Sequence, residues 1–307
     1  MKKAIITAAL TGSIHTPSMS PHLPVTAGQL IDEILAVHAA GGAVAHLHVR
    51  DPETGIPNAD QDIYREIATE IKKHCDIILC TTTGGRLGEP VEKRVAVASS
   101  LKPELASLNA GSLNFALFHV VDKVKEWKFD WEKSYLENTD DFIFPNTFKT
   151  MRQFLEIFDK TQTKPEFEIY DTGMINNLAF LIQKGITQKP VYLQFVMGIL
   201  GGIGGHPEDL SHMRRTADRL FGDSYLWSVL GAGRNQIPIA TQGAAMGSNV
   251  RVGLEDSLWA GPGKLAESSA QQVTTIRQVI EGLSLEIATP DEARASLALK
   301  GPDHVAF

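Results

Sequence analysis

Short apolar runs alternate with amphipathic stretches along almost the whole chain, and this alternation limits the possible folds more than any other feature. The runs are rich in β-branched and aliphatic residues, as in strands that are buried on both faces. The stretches between them have helical spacing. Strands joined by crossover helices form a parallel α/β sheet, either closed or doubly wound. The nine runs are Ala4–Leu10, Ala43–Arg50, Ile77–Thr83, Leu105–Asn109, Phe142–Pro145, Phe167–Asp171, Val191–Gly198, Tyr225–Gly231 and Asn249–Asp256.

A closed barrel takes eight strands, one fewer than the number of runs. The surplus run is Phe142–Pro145, because no amphipathic helix separates it from Leu105–Asn109. We therefore predict an α/β fold, a (β/α)8 TIM barrel, that forms a single domain over residues 1–307. The prediction includes an excursion at around 113–141 and a C-terminal extension at around 289–307, which carries a short helix and is available for packing on a neighbouring subunit.

A doubly wound Rossmann sheet is the alternative to the barrel. It requires Gly-x-Gly-x-x-Gly directly after the first strand. Here the first run is followed by Thr11-Gly12-Ser13, so the motif is missing. The apolar N-terminus also looks at first like a signal peptide, but no good cleavage site follows it, and we interpret it as the first strand.

Composition excludes several classes of protein. Hydrophobic residues make up 43% of the chain and charged residues 21%, which is typical of a globular protein with a full core. No apolar stretch approaches the roughly 20 residues of a membrane span. A formal net charge of −7 without a basic run argues against a nucleic-acid partner. The two cysteines, Cys75 and Cys80, are expected on different faces, which favours reduced thiols and a cytoplasmic location.

The most specific motif is His46-Leu47-His48-Val49-Arg50-Asp51, at the end of the second run. Side chains alternate along a strand, so His46 and His48 share a face, about 7 Å apart along the strand. Two imidazoles in this arrangement can reach one metal ion, and neutral imidazole is a common zinc ligand. Histidines hydrogen-bonded in a polar barrel layer are the alternative, but the paired spacing at a strand end favours a metal site.

A third ligand is expected at the end of the eighth strand, which neighbours the first strand in a closed barrel. Glu255 lies there, and a carboxylate would complete a His-His-Glu site with open positions for substrate. Arg251 and Glu255 are four residues apart and are predicted to share a face with Gly253, whose missing side chain makes room. A plain Arg251–Glu255 ion pair is the alternative. The positive charge of Arg251 is expected to lower the pKa of nearby carboxylates and keep Glu255 ionised.

Other predicted strand ends also have the character of binding sites. Thr82 and Asn109 lie in polar segments that offer hydroxyl, amide and backbone groups to a carboxylate. Glycines Gly201 and Gly202 precede a predicted helix, where backbone N–H groups can approach phosphate oxygens. Arg234 follows the seventh run and is a candidate partner for a phosphate or carboxylate. Simple turn chemistry is the alternative for the Thr82 and Asn109 segments, and a flexible loop that binds no phosphate is an equally good alternative for the glycine segment.

Together these motifs resemble the β-keto acid cleavage enzymes, typified by 3-keto-5-aminohexanoate cleavage enzyme. The resemblance runs almost from end to end. The matching segments are Ile6–Gly12, His46–Pro52, Thr82–Gly85, Ser107–Asn109, Gly111–Ser112, Tyr192–Gly198, Gly231–Gln236 and Arg251–Asp256.

The resemblance implies a zinc (β/α)8 barrel, usually a homotetramer, that acts on a β-keto acid and acetyl-CoA to give acetoacetate and a new acyl-CoA. It places the metal ligands on His46, His48 and Glu255, and an arginine and an aspartate of the reaction centre on Arg251 and Asp256. It places substrate-binding groups near Thr82 and around Asn109. In such a site zinc acts as a Lewis acid, and Asp256 is the candidate base.

One departure from the family concerns the substrate. The founding enzyme has a glutamate shortly after Thr-Gly that meets the amine of its substrate, whereas this sequence has Ile14 after Thr11-Gly12-Ser13. Ile14 cannot bind an ammonium group. We therefore expect an apolar or uncharged β-keto acid, with His15 contributing to binding.

Two other classes of function remain alternatives. An amidohydrolase-type hydrolase also binds metal through His-x-His in a barrel, but that family has the pair on the first strand and needs further histidines at strand ends. A non-catalytic barrel that senses a metal or an acyl-CoA is the other.

Overall fold

The computed structural model describes residues 3–85 and 88–307, and within them eight parallel strands close into a barrel. Each strand lies beside its neighbours in the chain, and the last pairs with the first, with Thr7 opposite Arg251. This architecture confirms the predicted TIM barrel and excludes the Rossmann sheet. The N-terminal apolar run forms the first strand, as predicted. The barrel strands are β1 (Ile6–Ala9), β2 (Val44–Leu47), β3 (Ile78–Thr81), β4 (Leu105–Asn109), β5 (Lys164–Ile169), β6 (Val191–Met197), β7 (Tyr225–Gly231) and β8 (Asn249–Val252).

Helices surround the barrel and connect its strands. The side chains of Thr26, Asp60 and Ser268 accept hydrogen bonds from N–H groups in the first turns of the helices that follow them, which fixes where those helices begin. Among the described residues, no helix is long and apolar enough to cross a membrane. The α-helices are α1 (Ala27–Ala40), α2 (Gln61–His74), α3 (Val91–Leu101), α4 (Asp130–Glu137), α5 (Phe148–Thr161), α6 (Thr172–Gln183), α7 (Pro207–Phe221), α8 (Gln236–Ala245), α9 (Ser269–Gly282) and α10 (Pro290–Leu297).

The chain leaves the barrel between β4 and α5, and the surplus apolar run lies in this segment. Ile143–Phe144 pairs with Leu113–Asn114 in a separate two-stranded antiparallel sheet. It is therefore not a barrel strand, as predicted. Helix α4 lies within the same segment. Its Glu132 carboxylate accepts hydrogen bonds from the N–H and hydroxyl of Ser18 at 2.9 and 2.8 Å, which holds the segment against the loop between β1 and α1.

Helix α10 closes the N-terminal end of the barrel. Its Ala293 and Leu297 pack against Ile5 and against the first residues of several strands, including Val44. The buried Arg294 donates to both carboxylate oxygens of Glu104, with distances of 3.0 to 3.2 Å. The C-terminal extension therefore packs on the barrel of its own chain.

The interior of the barrel is polar around mid-height. Along each strand, alternate residues such as Ala8, Leu79 and Val250 pack outward against the helices. Their neighbours therefore face inward, because side chains alternate along a strand. The inward-facing polar residues are Thr7, Cys80, Ser107, Glu166, Gln194, Ser228 and Asn249, all buried. Both cysteines are free thiols.

Candidate active site

Three buried donor groups converge at the C-terminal end of the barrel. His46 lies on β2, His48 directly follows that strand, and Glu255 lies on the loop after β8. The Nε2 atoms of His46 and His48 are each 3.6 Å from Oε1 of Glu255. A single ion could contact all three residues, because one donor atom from each lies within 4.8 Å of the others. The structure therefore brings together the three predicted metal ligands.

The closure of the barrel explains this convergence. Strand β1 lies between β8 and β2, with its Ala9 opposite His46. The same Ala9 accepts a hydrogen bond from the backbone N–H of Glu255 at 3.1 Å. Residues about 200 positions apart in the chain are in this way held on one short stretch of the rim.

A turn, rather than a continuing strand, presents Glu255 and Asp256. Strand β8 ends at Val252, and the N–H groups of Asp256 and Ser257 donate to the carbonyl of Gly253 at 3.1 and 3.0 Å. The prediction that Arg251 and Glu255 share one face of a strand was therefore wrong, because the chain turns between them. The prediction about Gly253 holds: its φ is +144°, and a Cβ there would collide with the carbonyl oxygen of Ala9.

The guanidinium of Arg251 is buried among three carboxylates. It donates to both oxygens of Asp256 at 2.9 Å and to Oε1 of Glu255 at 2.8 Å. Its Nη1 donates to Oε1 of Glu168 at 3.2 Å. Three carboxylates face one positive charge, so a divalent cation beside Glu255 would bring the cluster to neutrality.

Burial has the largest effect on the titrating groups of this cluster. It raises the pKa of Glu168 to about 8 and that of Asp256 to about 6, and it also raises the pKa of Glu255. The predicted effect of Arg251, which lowers these pKa values, is present but smaller than that of burial. Burial lowers the pKa of His48 to about 3 and that of His46 well below its ordinary value, and the charge of Arg251 adds to both shifts. Both imidazoles are therefore neutral, the form that binds a metal ion.

A second buried arginine, Arg50, organises the loop after β1. Its guanidinium donates to the carbonyl oxygens of Thr11, Gly12 and His15 at 2.7 to 2.8 Å. Gly12 has a φ of +59°, and a Cβ there would collide with the side chain of Glu255. Arg50 therefore fixes the loop that packs directly against the third candidate ligand.

Above the donor groups lies a cavity with about 710 Å³ of empty space, part of it open to solvent. The lining combines polar and apolar side chains. The polar lining residues include His46, His48, Thr82, Asn109, Glu168, Arg251, Glu255 and Asp256. The apolar lining residues include Ile14, Phe115, Phe144, Val196, Ile199 and Leu230, and Tyr170 also lines the cavity. Among the described lining residues, Arg251 is the only arginine or lysine.

The predicted substrate-binding residues have different positions. Thr82 and Asn109 are buried and line the cavity, as does Ile14. His15 is not among the lining residues, because its ring turns away and its Nδ1 lies 2.8 Å from the carbonyl oxygen of Leu254. Ser13 and Ile14, rather than His15, are therefore the residues of this loop that line the cavity.

The two glycines predicted to bind a cofactor have a packing role. Gly201 has a φ of +99°, and a Cβ there would collide with the backbone of Asn114. At Gly202 a Cβ would lie 2.9 Å from the carbonyl oxygen of Tyr170. The third residue of this prediction, Arg234, is exposed on a short 3₁₀ helix (Gly233–Asn235) that follows β7. Close packing alone is a sufficient reason for glycine at both positions.

Glu168 is a site residue that the sequence interpretation missed. It lies on β5, where glutamates alternate with apolar residues in Glu166-Phe167-Glu168-Ile169. Two glutamates that face inward from an otherwise apolar strand were an available signal. The contact of Glu168 with Arg251 indicates a positioning role, because it holds the guanidinium from the side opposite Asp256.

We expect Glu168→Gln to lower kcat by about 10- to 100-fold, as removal of an outer-shell partner commonly does. The amide keeps the shape of the side chain but replaces the carboxyl group that contacts Arg251. Steady-state kinetics together with metal analysis would check this. Glu156→Gln is the control, because Glu156 is exposed on α5, where it pairs with Lys160 at 2.7 Å, and does not line the cavity. Equal kcat values in the two variants would contradict a specific role for Glu168.

Comparisons with known proteins agree with this geometry. A family model described as beta-keto acid cleavage enzyme matches residues 3–299. The chain is 55% identical to 3,5-dioxohexanoate:acetyl-CoA acetone transferase of Paraburkholderia graminis, over 100% of this chain and 99% of that one. It is 33% identical to 3-keto-5-aminohexanoate cleavage enzyme of Fusobacterium nucleatum, over 98% of this chain and 99% of that one.

Among solved structures, the fold is similar to that of apo ObcA. The TM-score is 0.74 at 20% sequence identity, and the match covers 91% of this chain and 66% of that chain. At this level of identity the similarity supports the barrel fold alone.

The family match confirms the predicted activity class, an enzyme that cleaves β-keto acids with acetyl-CoA and gives acetoacetate and an acyl-CoA. It gives no support to the amidohydrolase or to the non-catalytic sensor. The converging histidines and carboxylates, the half-apolar cavity and a match that spans almost the whole chain lead to one conclusion: this chain belongs to the β-keto acid cleavage enzyme family.

Proposed function

We propose that the protein is a zinc-dependent enzyme that condenses an uncharged β-keto acid with acetyl-CoA. The observation that carries this proposal is the convergence of His46, His48 and Glu255 in a cavity that is also lined by apolar side chains. The polar lining residues suit the keto and carboxylate groups that every β-keto acid shares. The apolar lining residues suit a substrate tail without charge. A homotetramer in the cytoplasm stays part of the proposal by family resemblance.

The donor set fits zinc. Two neutral imidazoles and one carboxylate are ligands that zinc accepts in catalytic sites, where a further position stays open for substrate. Oε2 of Glu255 is buried and makes no hydrogen bond with another described residue, so it is available to a metal ion. The excess of carboxylates around Arg251 points to the same conclusion, because a divalent cation would balance it.

A zinc ion held by these residues would act as a Lewis acid toward the oxygens of a bound β-keto acid. The chain's own groups complete the reaction. Asp256 accepts the proton from the carbon between the keto and carboxylate groups, and its Arg251 partner stays in place as the charge moves. The resulting enolate attacks the acetyl thioester, and the released CoA thiolate cleaves the condensed intermediate. Arg251 stabilises the negative charge that develops in these steps.

The tail of the substrate is proposed to be neutral and to carry a second keto group. Ile14, Phe115 and Phe144 line the cavity, and none of them carries a charge that would form an ion pair with an ammonium or a carboxylate. The relative at 55% identity is named for 3,5-dioxohexanoate, a β-keto acid with an uncharged tail. We therefore propose 3,5-dioxohexanoate, or a closely similar diketo acid, as the substrate.

A panel of β-keto acids with acetyl-CoA, scored for acetoacetate, tests this function. We expect kcat/KM for 3,5-dioxohexanoate to exceed that for 3-keto-5-aminohexanoate by at least about 100-fold, because an unpaired ammonium in this cavity would lose its hydration. Ile14→Glu should reduce the difference in kcat/KM between the two substrates, and Ile14→Leu is the apolar control. A wild-type preference for the amino compound would contradict the proposed substrate, and no acetoacetate from any β-keto acid would contradict the proposed reaction.

A further inference from the structure

An exposed tryptophan follows the turn that carries Asp256. Trp259 begins a short antiparallel hairpin, Trp259–Gly261 with Lys264–Leu265, and its side chain is 47% exposed. It makes no ring stacking or cation–π contact with another described residue. Trp227, by contrast, is buried, and the indole N–H of Trp131 donates to the carbonyl of Thr54 at 3.1 Å. The exposed indole ring of Trp259 is therefore available to a planar stacking partner.

The position of this ring connects it to the reaction centre. Only three peptide units separate Trp259 from Asp256, so their Cα atoms are at most about 11 Å apart. The hairpin packs against the short helix Gly233–Asn235, and the N–H of Gly233 donates to the carbonyl of Asp256 at 2.8 Å. The hairpin, the short helix and the turn that carries Asp256 therefore form one continuous part of the barrel rim.

Two cationic side chains lie on the same hairpin as Trp259 or on the short helix that contacts this hairpin. Arg234 lies on the short helix and Lys264 on the second strand of the hairpin, and both are exposed. Neither side chain forms an ion pair or a hydrogen bond with any other residue that the structure describes. In a chain with a net charge of −7, two free cations beside an exposed tryptophan indicate a site for an anionic aromatic ligand.

We propose that Trp259, Arg234 and Lys264 bind the 3′-phosphoadenosine diphosphate end of acetyl-CoA. The adenine stacks on the indole of Trp259, and the phosphates pair with Arg234 and Lys264. The pantetheine arm then runs over the turn at Asp256 and brings the thioester into the cavity. This inference rests on the proposed function, because it takes acetyl-CoA as the second substrate. In this proposal Trp259, Arg234 and Lys264 bind the nucleotide, and Gly201 and Gly202 do not.

Comparison of two thioesters tests this site. Acetyl-CoA carries the nucleotide, and acetyl-pantetheine carries the same reacting group without it. The measured quantity is kcat/KM for acetyl-CoA divided by kcat/KM for acetyl-pantetheine. We expect Trp259→Ala to lower this ratio by about 10-fold or more, the effect of losing one aromatic stacking partner, and Trp259→Phe to retain most of it. Arg234→Glu should lower the ratio more strongly at low salt than at high salt.

The control variants are Phe180→Ala and Arg152→Glu, which alter an exposed aromatic ring and an exposed arginine on the helices around the barrel. Both should leave the ratio at the wild-type value. A wild-type ratio in Trp259→Ala and Arg234→Glu would overturn the inference while leaving the proposed function intact. A changed native mass in Trp259→Ala would also overturn it, because the ring would then be a subunit contact. An enzyme inactive with both thioesters would instead count against the proposed function.

Discussion

His46→Ala is expected to remove most of the bound metal and with it nearly all activity. The imidazole of His46 is buried, and its Nε2 lies 3.6 Å from Oε1 of Glu255. Loss of one of three protein ligands leaves too few donors to hold the ion. Elemental analysis of the purified variant, with the metal content expressed per chain, would check this.

His74→Ala is the matched control for this experiment. His74 is exposed at the end of α2, where its Nε2 lies 2.9 Å from Oε1 of Glu70, far from the cavity lining. Its replacement should leave the metal content unchanged. Full metal occupancy in His46→Ala would contradict the proposed ligand set, whatever the activity of that variant.

Arg251→Ala is expected to lower kcat by at least 10²–10³-fold, the typical effect of losing one preorganised charge at a reaction centre. Asp256 would lose its bidentate partner, and Glu168 and Glu255 would lose their shared counter-ion. Removal of one partner from a buried ion pair commonly costs about 3–5 kcal/mol, so thermal unfolding should be measured beside the kinetics. The zinc content should stay near one per chain, because both histidines remain.

Arg251→Lys separates the charge of this side chain from its shape. An ammonium keeps the positive charge that stabilises the fold, but it cannot bond both oxygens of Asp256 and also reach Glu168 and Glu255. We expect only partial recovery of kcat in this variant. If excess zinc alone restored Arg251→Ala to wild-type activity, Arg251 would be a structural partner of Glu255 and not part of the reaction.

The barrel could be predicted because its signal is spread over the whole chain. Eight buried strands joined by helices leave few other architectures, and the surplus run at Ile143–Phe144 was separable from the sequence alone. The histidine pair could be predicted because the spacing is local. Glu255 could be predicted only through closure of the barrel, which brings β8 next to β1 and therefore near β2.

The roles of the other site residues depended on side-chain directions and close contacts that a sequence does not specify. His15 was expected in the cavity, but its ring bonds the carbonyl of Leu254 instead. Glu168 was missed because a glutamate in a predicted strand is normally assigned to the surface. Only the structure shows which face of that strand points inward. At Gly201 the close approach of the Asn114 backbone, which the sequence does not reveal, requires a glycine. In each case a tertiary contact decided the role.

Closure of the barrel has a consequence for how the chain folds during synthesis. Strand β1 obtains its second neighbour only when β8 has been made, and the N–H of Ala4 finds its acceptor only at Glu286. Roughly 240 residues separate these strands, which at ribosomal rates takes on the order of tens of seconds. Until then one edge of β1 has unpaired backbone groups that could join another chain. The first and last segments of this protein therefore complete folding together, and the growing chain carries an open sheet edge for most of its time on the ribosome.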